Sequence, residues 1–438
     1  MHYSHRLLES ALFTAFEGPF ITGLLGSRRV GKSTLIQHFL KRFPQSTVAE
    51  LNMDKMAERA EVQAGRLEDL ILTTIKSPLS PNLRVWVFID EAQKCPELFE
   101  QIKVLYDQYK DQNAIKFILT GSARLELHRL STESLAGRIQ LFHLSAFGLT
   151  ETLQLKWNLT IKESIFNLIE SAANEETWQE YMVSLKPLRH DLISSQQELL
   201  VWGGLPEVLS LQQTDARLNY LGSYLQTYLE RDVLSSAAIS DLILYRQLMD
   251  IVSEQTGSIR DDSRIVQALS CHRETLHKYR RYLEASLMYK EVYPYINSNL
   301  KRLVKSPKGY LINNGLIAYL QGMNDLELLV KSGKIGARAE NWLLNELTIW
   351  LSQSPVRSEI YYWRTATGVE VDFVVKKGAA IYPFEITYTS HIEKKKIRNL
   401  LAFKEYEPLV DYCYYIYNGD FAFDAEQKIV FIPMWAVC

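Results

Sequence analysis

Over the first 150 or so residues, short runs of consecutive apolar side chains alternate with longer stretches whose apolar positions recur every three or four residues. Phe20–Leu25, Val85–Ile89 and Ala114–Leu119 have the length and continuity of strands buried on both faces. Lys32–Phe43 reads as a helix, and such alternation is what a parallel α/β sheet requires. From about 151 to 235 the pattern becomes helical and rich in Leu, Glu and Gln, interrupted at Gly203-Gly204-Leu205-Pro206. Residues 240–325 are helical again, with Leu242–Gln255, Asp262–Ser270 and His272–Ala285 as three short helices and Leu287–Tyr295 as a strand. A helix over Ala337–Leu351 then precedes strands at Ile360–Trp363, Val369–Val375 and Ala380–Thr387, the pattern of a second α/β domain. The predicted division is 1–150, 151–235, 236–328 and 329–438.

Composition alters this picture little. Of 438 residues, 47% are hydrophobic and 23% charged, as in ordinary globular chains. No run of about eighteen apolar residues is present, so no membrane span or membrane partner is expected. The opening MHYSHRLLES lacks the apolar core of a secretory signal. Cys95, Cys271, Cys413 and Cys438 are too scattered for a disulfide framework or a zinc site, and a cytoplasmic location is expected. The net charge of −2 excludes a globally basic nucleic-acid binder but not a locally basic segment.

The first chemistry lies after the first strand. Gly26-Ser27-Arg28-Arg29-Val30-Gly31-Lys32-Ser33 has the spacing G-x-x-x-x-G-K-S between an apolar strand and a helix, and Thr34 continues into that helix. The glycines let main-chain N–H groups curl around phosphates, and the helix N-terminus adds its dipole. Lys32 is expected at the β- and γ-phosphates of ATP and Ser33 on Mg²⁺. About sixty residues on, the strand Val85–Ile89 delivers Asp90 and Glu91 to the sheet edge where α/β ligands bind. Asp90 is expected to hold Mg²⁺, and Glu91 to polarise the attacking water. Leu119-Thr120-Gly121-Ser122 ends the third strand; Ser122, with Thr120 next, is the candidate γ-phosphate sensor. Arg138 is expected to contact phosphate in cis or to reach a neighbouring subunit, with Arg124 and Arg129 as lesser candidates.

The ordered set GSRRVGKST, VFIDEAQKCPE, ILTGSA, SLAGR and GGLPEV resembles a widespread prokaryotic group of AAA-type ATPases. These are relatives of the archaeal-type STAND ATPases and carry a C-terminal domain of unknown function. The resemblance covers nearly the whole chain except about 155–198, which reads as a variable insertion. It implies ATP binding with slow or regulated hydrolysis and a fold of class α/β. A P-loop NTPase parallel sheet would be followed by a helical lid, a winged-helix segment and a restriction-endonuclease-like C-terminal domain.

In the third short helix Leu276, Tyr279 and Leu283 share one face, while Arg273, His277, Arg280 and Glu284 share the other, as in a recognition helix. Between Ser263 and Lys308, ten Lys/Arg face three Asp/Glu, a net +7 that favours a polyanion. DNA contact through Arg273, His277 and Arg280 is one expectation; a protein-interaction module is the other. In the C-terminal segment Glu340, Asp372 and Glu385 look like the carboxylates of PD-(D/E)XK nucleases, which bind Mg²⁺. A hairpin at Lys376-Lys377-Gly378 would bring the last two together. Thr387 stands where that fold carries its lysine, so a catalytically silent domain is expected unless Lys394, Lys395 or Lys396 substitutes in space. Three functions follow in order: an ATP-driven switch or motor on DNA, a STAND-like ATP-gated module that assembles with protein partners or as a homo-oligomer, and, last, an ATP-dependent nuclease.

Overall fold

In the computed structural model, residues 3–76, 78, 83–112, 114–121, 134–233, 239–296 and 305–438 are described. They divide into two units, one of Tyr3–Ser145 with Ala285–Leu287, the other of Ala146–Glu284 with Met288–Cys438.

The first unit is built on β1 (Ile21–Leu25), β2 (Val48–Asn52), β3 (Val85–Asp90), β4 (Ile115–Gly121) and β5 (Ile139–His143). All neighbours are parallel and the order is β2-β3-β4-β1-β5. β1 and β4 are buried along their whole length, as continuous apolar runs must be when both faces of a parallel sheet are covered. Apolar residues of the helices Met56–Gln63, Leu67–Ile75 and Glu97–Tyr109 join those of β1 to β4 in one core. Lys116 is a buried charge inside that sheet. Its ammonium donates to the carbonyls of Ala15 (2.8 Å), Gly18 (3.1 Å) and Phe20, closing the turn between the helix Glu9–Glu17 and β1.

The second unit begins with helices at Leu149–Trp157, Ile165–Glu170, Glu175–Leu185 and Arg189–Trp202. Its strands are β6 (Ser258–Ile259), β7 (Tyr289–Pro294), β8 (Lys308–Leu311), β9 (Ser358–Arg364), β10 (Glu370–Lys377), β11 (Ala380–Ile386), β12 (Cys413–Tyr417), β13 (Ala422–Asp424) and β14 (Ile429–Pro433). They form one mixed sheet in the order β13-β14-β12-β11-β10-β9-β7-β8-β6. The predicted hairpin joins β10 and β11, with Lys377 opposite Ala380. Parallel pairing of Tyr293 with Tyr361 and Pro294 with Tyr362 fuses the strands of the basic segment to those of the C-terminal segment.

The helix Arg273–Ala285 buries Leu276, Tyr279 and Leu283 as its periodicity predicts. Its other face departs from expectation. Arg273 is exposed, but Arg280 is only 3% exposed and its Nη2 lies 2.6 Å from Asp262. Arg280 follows Tyr279 by 100° around the helix, so it sits at the edge of the apolar stripe, where the helix Asp262–Leu269 covers it. As an exposed DNA-contacting residue, Arg280 is therefore corrected to a buried ion-pair partner. His277 also leans on Asp262, at 3.3 Å.

Candidate functional site

The loop after β1 is shaped by contacts that only its own residues permit. Gly31 has φ +97° immediately before the helix Lys32–Leu40. A Cβ on Gly26 would stand 2.5 Å from the Leu144 carbonyl oxygen, so the loop closes against the chain beyond β5 only with glycine there. Arg6, buried, braces the loop from outside: Nη1 donates to the Val30 carbonyl (2.8 Å) and Nη2 to that of Ser145 (2.6 Å). Lys32 Nζ lies inside the curl, donating to the carbonyls of Gly26 (2.9 Å) and Ser27 (3.0 Å).

Two strands complete the pocket. Ser33 Oγ donates to Asp90 Oδ2 at 2.9 Å, joining the loop to the end of β3. The other oxygen of Asp90 accepts from Thr120 at the end of β4 and from the Glu91 N–H (3.1 Å). β4 lies between β1 and β3, which is why its polar end meets both. Glu91 adopts φ +53° and its carboxylate accepts from Gln93 Nε2 at 2.6 Å. Of the two sensor candidates Thr120 is thus in the site, while Ser122 lies outside the described residues, as do Arg124 and Arg129, the lesser candidates for the role expected of Arg138.

A second polar cluster occupies the second unit. Lys396, on the helix Lys394–Tyr406, donates to Asp372 Oδ2 (2.7 Å), Glu385 Oε2 (2.7 Å) and the Ile386 carbonyl (2.8 Å). Burial alone would lower the ammonium, but the two carboxylates outweigh it and hold Lys396 well above its ordinary range. Burial pushes both carboxyls up. The Lys396 and Lys308 charges reverse this for Asp372, whereas Glu385, 1% exposed and beside Asp372, stays raised. Glu340 is engaged separately, by Lys308 Nζ (2.9 Å) and the Tyr310 hydroxyl. Thr387 instead donates to Glu393 (2.7 Å). Among the described residues, no three His, Cys, Asp or Glu side chains are grouped so as to hold a metal ion. Glu340, Asp372 and Glu385 therefore do not fit a metal in this arrangement, because two lysines stand among them.

Three segments match known families. Residues 19–153 match the AAA domain. The first unit is an AAA-type nucleotide-binding domain of the ATPase class. Residues 193–327 and 335–437 each match a domain of unknown function, DUF8612 and DUF4143 respectively. Uncharacterized proteins of Mycobacterium bovis and Mycobacterium tuberculosis are each 27% identical over 411 residues, 94% of this chain and 79% of theirs. Among solved structures, the Aeropyrum pernix ORC1 protein in complex with DNA has a TM-score of 0.29 at 11% identity, covering 76% of this chain and 94% of that one. Thermotoga maritima RuvB has 0.28 at 13%, covering 65% and 86%. Values this low do not bear on chemistry.

Within the AAA domain one expectation is overturned. Arg138 immediately precedes β5, and its carbonyl accepts from Ile21 N (2.8 Å) at the start of β1. In a parallel sheet that is the edge opposite the phosphate loop, so a contact in cis is ruled out by strand direction. Its guanidinium instead forks onto Asp107, at 3.0 and 2.8 Å. Arg6, Gln93 and Lys308 escaped the sequence reading, and only Gln93, two residues after Glu91, left a trace in the motif. Among the described residues no helix is long and apolar enough to cross a membrane.

Proposed function

We propose that the AAA domain binds ATP with Mg²⁺ and hydrolyses it, and that the reaction switches engagement of the second unit with DNA. The observation that carries this reading is the Ser33–Asp90 hydrogen bond, a hydroxyl and a carboxylate already paired beside Lys32. This donor set fits Mg²⁺, which would neutralise the phosphates between Ser33 and Asp90. Lys32 exchanges the Gly26 and Ser27 carbonyls for the β- and γ-phosphate oxygens. Main-chain N–H groups from Gly31 to Thr34 hold the remaining charge. Thr120 fixes the Asp90 carboxylate. Glu91 takes the proton from the attacking water once its carboxylate turns from Gln93.

The C-terminal cluster reads best as part of a binding unit. Lys396 supplies the cation that Thr387 lacks, yet it neutralises the carboxylates a metal would need, so nuclease activity stays the last reading. ATPase assays with and without duplex DNA, combined with mass measurement in each nucleotide state, test the proposal. DNA-stimulated hydrolysis with a steep salt dependence supports it. Nucleotide-dependent assembly indifferent to DNA would replace it with the STAND-like reading, and metal-dependent cleavage abolished by Asp372→Ala would replace it with the nuclease.

A further inference from the structure

A polar cavity of about 710 Å³ opens where β6, the start of the helix Arg273–Ala285, the segment before β8 and the end of β9 meet. Five cations line it: Arg260, Arg264, Arg273, Lys305 and Arg364. The two acids on its wall are already engaged. Asp261 caps the helix Asp262–Leu269 through the Ser263 and Arg264 N–H groups (3.1 and 3.2 Å). Asp262 is held by Arg280, Arg260 and His277. Arg260 also meets Glu291, and Arg364 meets Glu370 at 3.2 Å. Arg264, Arg273 and Lys305 are exposed and make no ion pair among the described residues. Three cations outside any ion pair therefore converge on one cleft, against the single charge of Asp261, although they come from three separated stretches of sequence.

The cleft also has a direction. Pro307 lies on its wall, and the next residue, Lys308, bridges Glu370 (2.6 Å) and Glu340 (2.9 Å). The same β10 that carries Glu370 carries Asp372, held with Glu385 by Lys396. Cleft and carboxylate–lysine cluster are thus two parts of one sheet, β6-β8-β7-β9-β10-β11.

We infer that this cleft, rather than the exposed face of one helix, is where the phosphodiester backbone of a nucleic acid binds, with Arg264, Arg273 and Lys305 as its principal phosphate contacts. Arginine forks and a lysine point charge suit phosphate oxygens, and a wall with little apolar surface suits a backbone better than a base or an apolar peptide. This rests on the reading of DNA engagement above and names the residues that would carry it.

The test is fluorescence anisotropy of a labelled random-sequence duplex with the full chain, from about 50 to 300 mM salt, in ADP and in a non-hydrolysable ATP analogue. The variant Arg264→Ala/Arg273→Ala/Lys305→Ala should lower the slope of log affinity against log salt by about 2–3 and weaken binding at low salt at least about tenfold. ATP binding should be unchanged. A control, Lys55→Ala/Lys110→Ala/Lys331→Ala, removes equal charge from exposed positions elsewhere and should keep the slope. If the parent binds DNA and the cleft variant keeps its slope and affinity, the cleft is wrong while DNA engagement stands. Equal losses in the control would also overturn it, as would equally tight, cleft-dependent binding of poly-glutamate, which would make the occupant an acidic protein. A parent that binds no DNA in either nucleotide state would sink the DNA reading and the cleft together.

Discussion

Replacing Lys396 by methionine keeps most of the apolar stem of the side chain and removes one charge from the carboxylate cluster. The structure sets the magnitude. Three hydrogen bonds are lost, two of them to carboxyl groups, and Glu385 is left 1% exposed with Asp372 and only the Asn399 amide beside it. Breaking a buried ion pair from one side costs about 3–5 kcal/mol, since the remaining charge has neither water nor partner. The Lys396 side chain is 21% exposed. Water can therefore reach part of the site, and the lower end, about 3 kcal/mol, is expected. Urea unfolding followed by tryptophan fluorescence reports mainly on the second unit, because only Trp86 of the tryptophans lies in the first. Adding Glu385→Gln should recover more than half of the loss, because an amide in that buried place needs no counter-charge and no longer repels Asp372. A single variant destabilised by less than about 1 kcal/mol, or two substitutions whose effects simply add, would refute the coupling drawn between these side chains.

Further expectations concern the rest of the molecule. Burial raises the Glu346 carboxyl to about 8 from an ordinary 4.5. The folded form therefore keeps a proton that the unfolded chain releases, and stability should fall by up to about 4 kcal/mol as pH rises from near 4.5 to near 8. Glu346→Gln retains an acceptor for Leu149 N (2.9 Å) and should flatten that dependence between pH 5 and 8; an unchanged slope would assign it elsewhere. Arg6→Ala should weaken ATP binding several-fold, through the loss of about 1 kcal/mol of support to the loop, in a protein that still folds. Titration with a fluorescent ATP analogue checks this, and an unaltered affinity would mean the loop holds itself. Arg138→Ala should leave basal hydrolysis by the isolated chain unchanged, and a large fall would contradict its place at the far edge of the sheet.

How legible these features were depended on whether a local pattern carried them. β1, β3 and the phosphate loop could be read because a continuous apolar run, a glycine spacing and a strand-end acid pair are local signals. β5 was missed because it is a half-exposed edge strand containing Gln140, with no apolar run to mark it. β12 and β14, fully buried at Cys413–Tyr417 and Ile429–Pro433, carry the same kind of apolar run as β1 and β3 and are legible from it. Lys396 was one of three neighbouring candidates, and only the packing of its helix against β10 and β11 selects it. Arg280 was misplaced because periodicity identifies one buried stripe and is blind to a second layer, here Asp262 and Glu291, covering its border. Arg6 and Lys308 act across long sequence separations that no spacing encodes.

Equilibrium binding of ATP by titration calorimetry, with Mg²⁺ and after its chelation, addresses the central claim most directly. One ATP should bind per chain, more weakly without Mg²⁺, and binding should be lost or greatly reduced in Lys32→Ala while Glu91→Gln retains it and hydrolyses slowly. A folded parent chain with no affinity for ATP or GTP in the presence of Mg²⁺, or a Lys32→Ala variant that binds as tightly as the parent, would contradict the account.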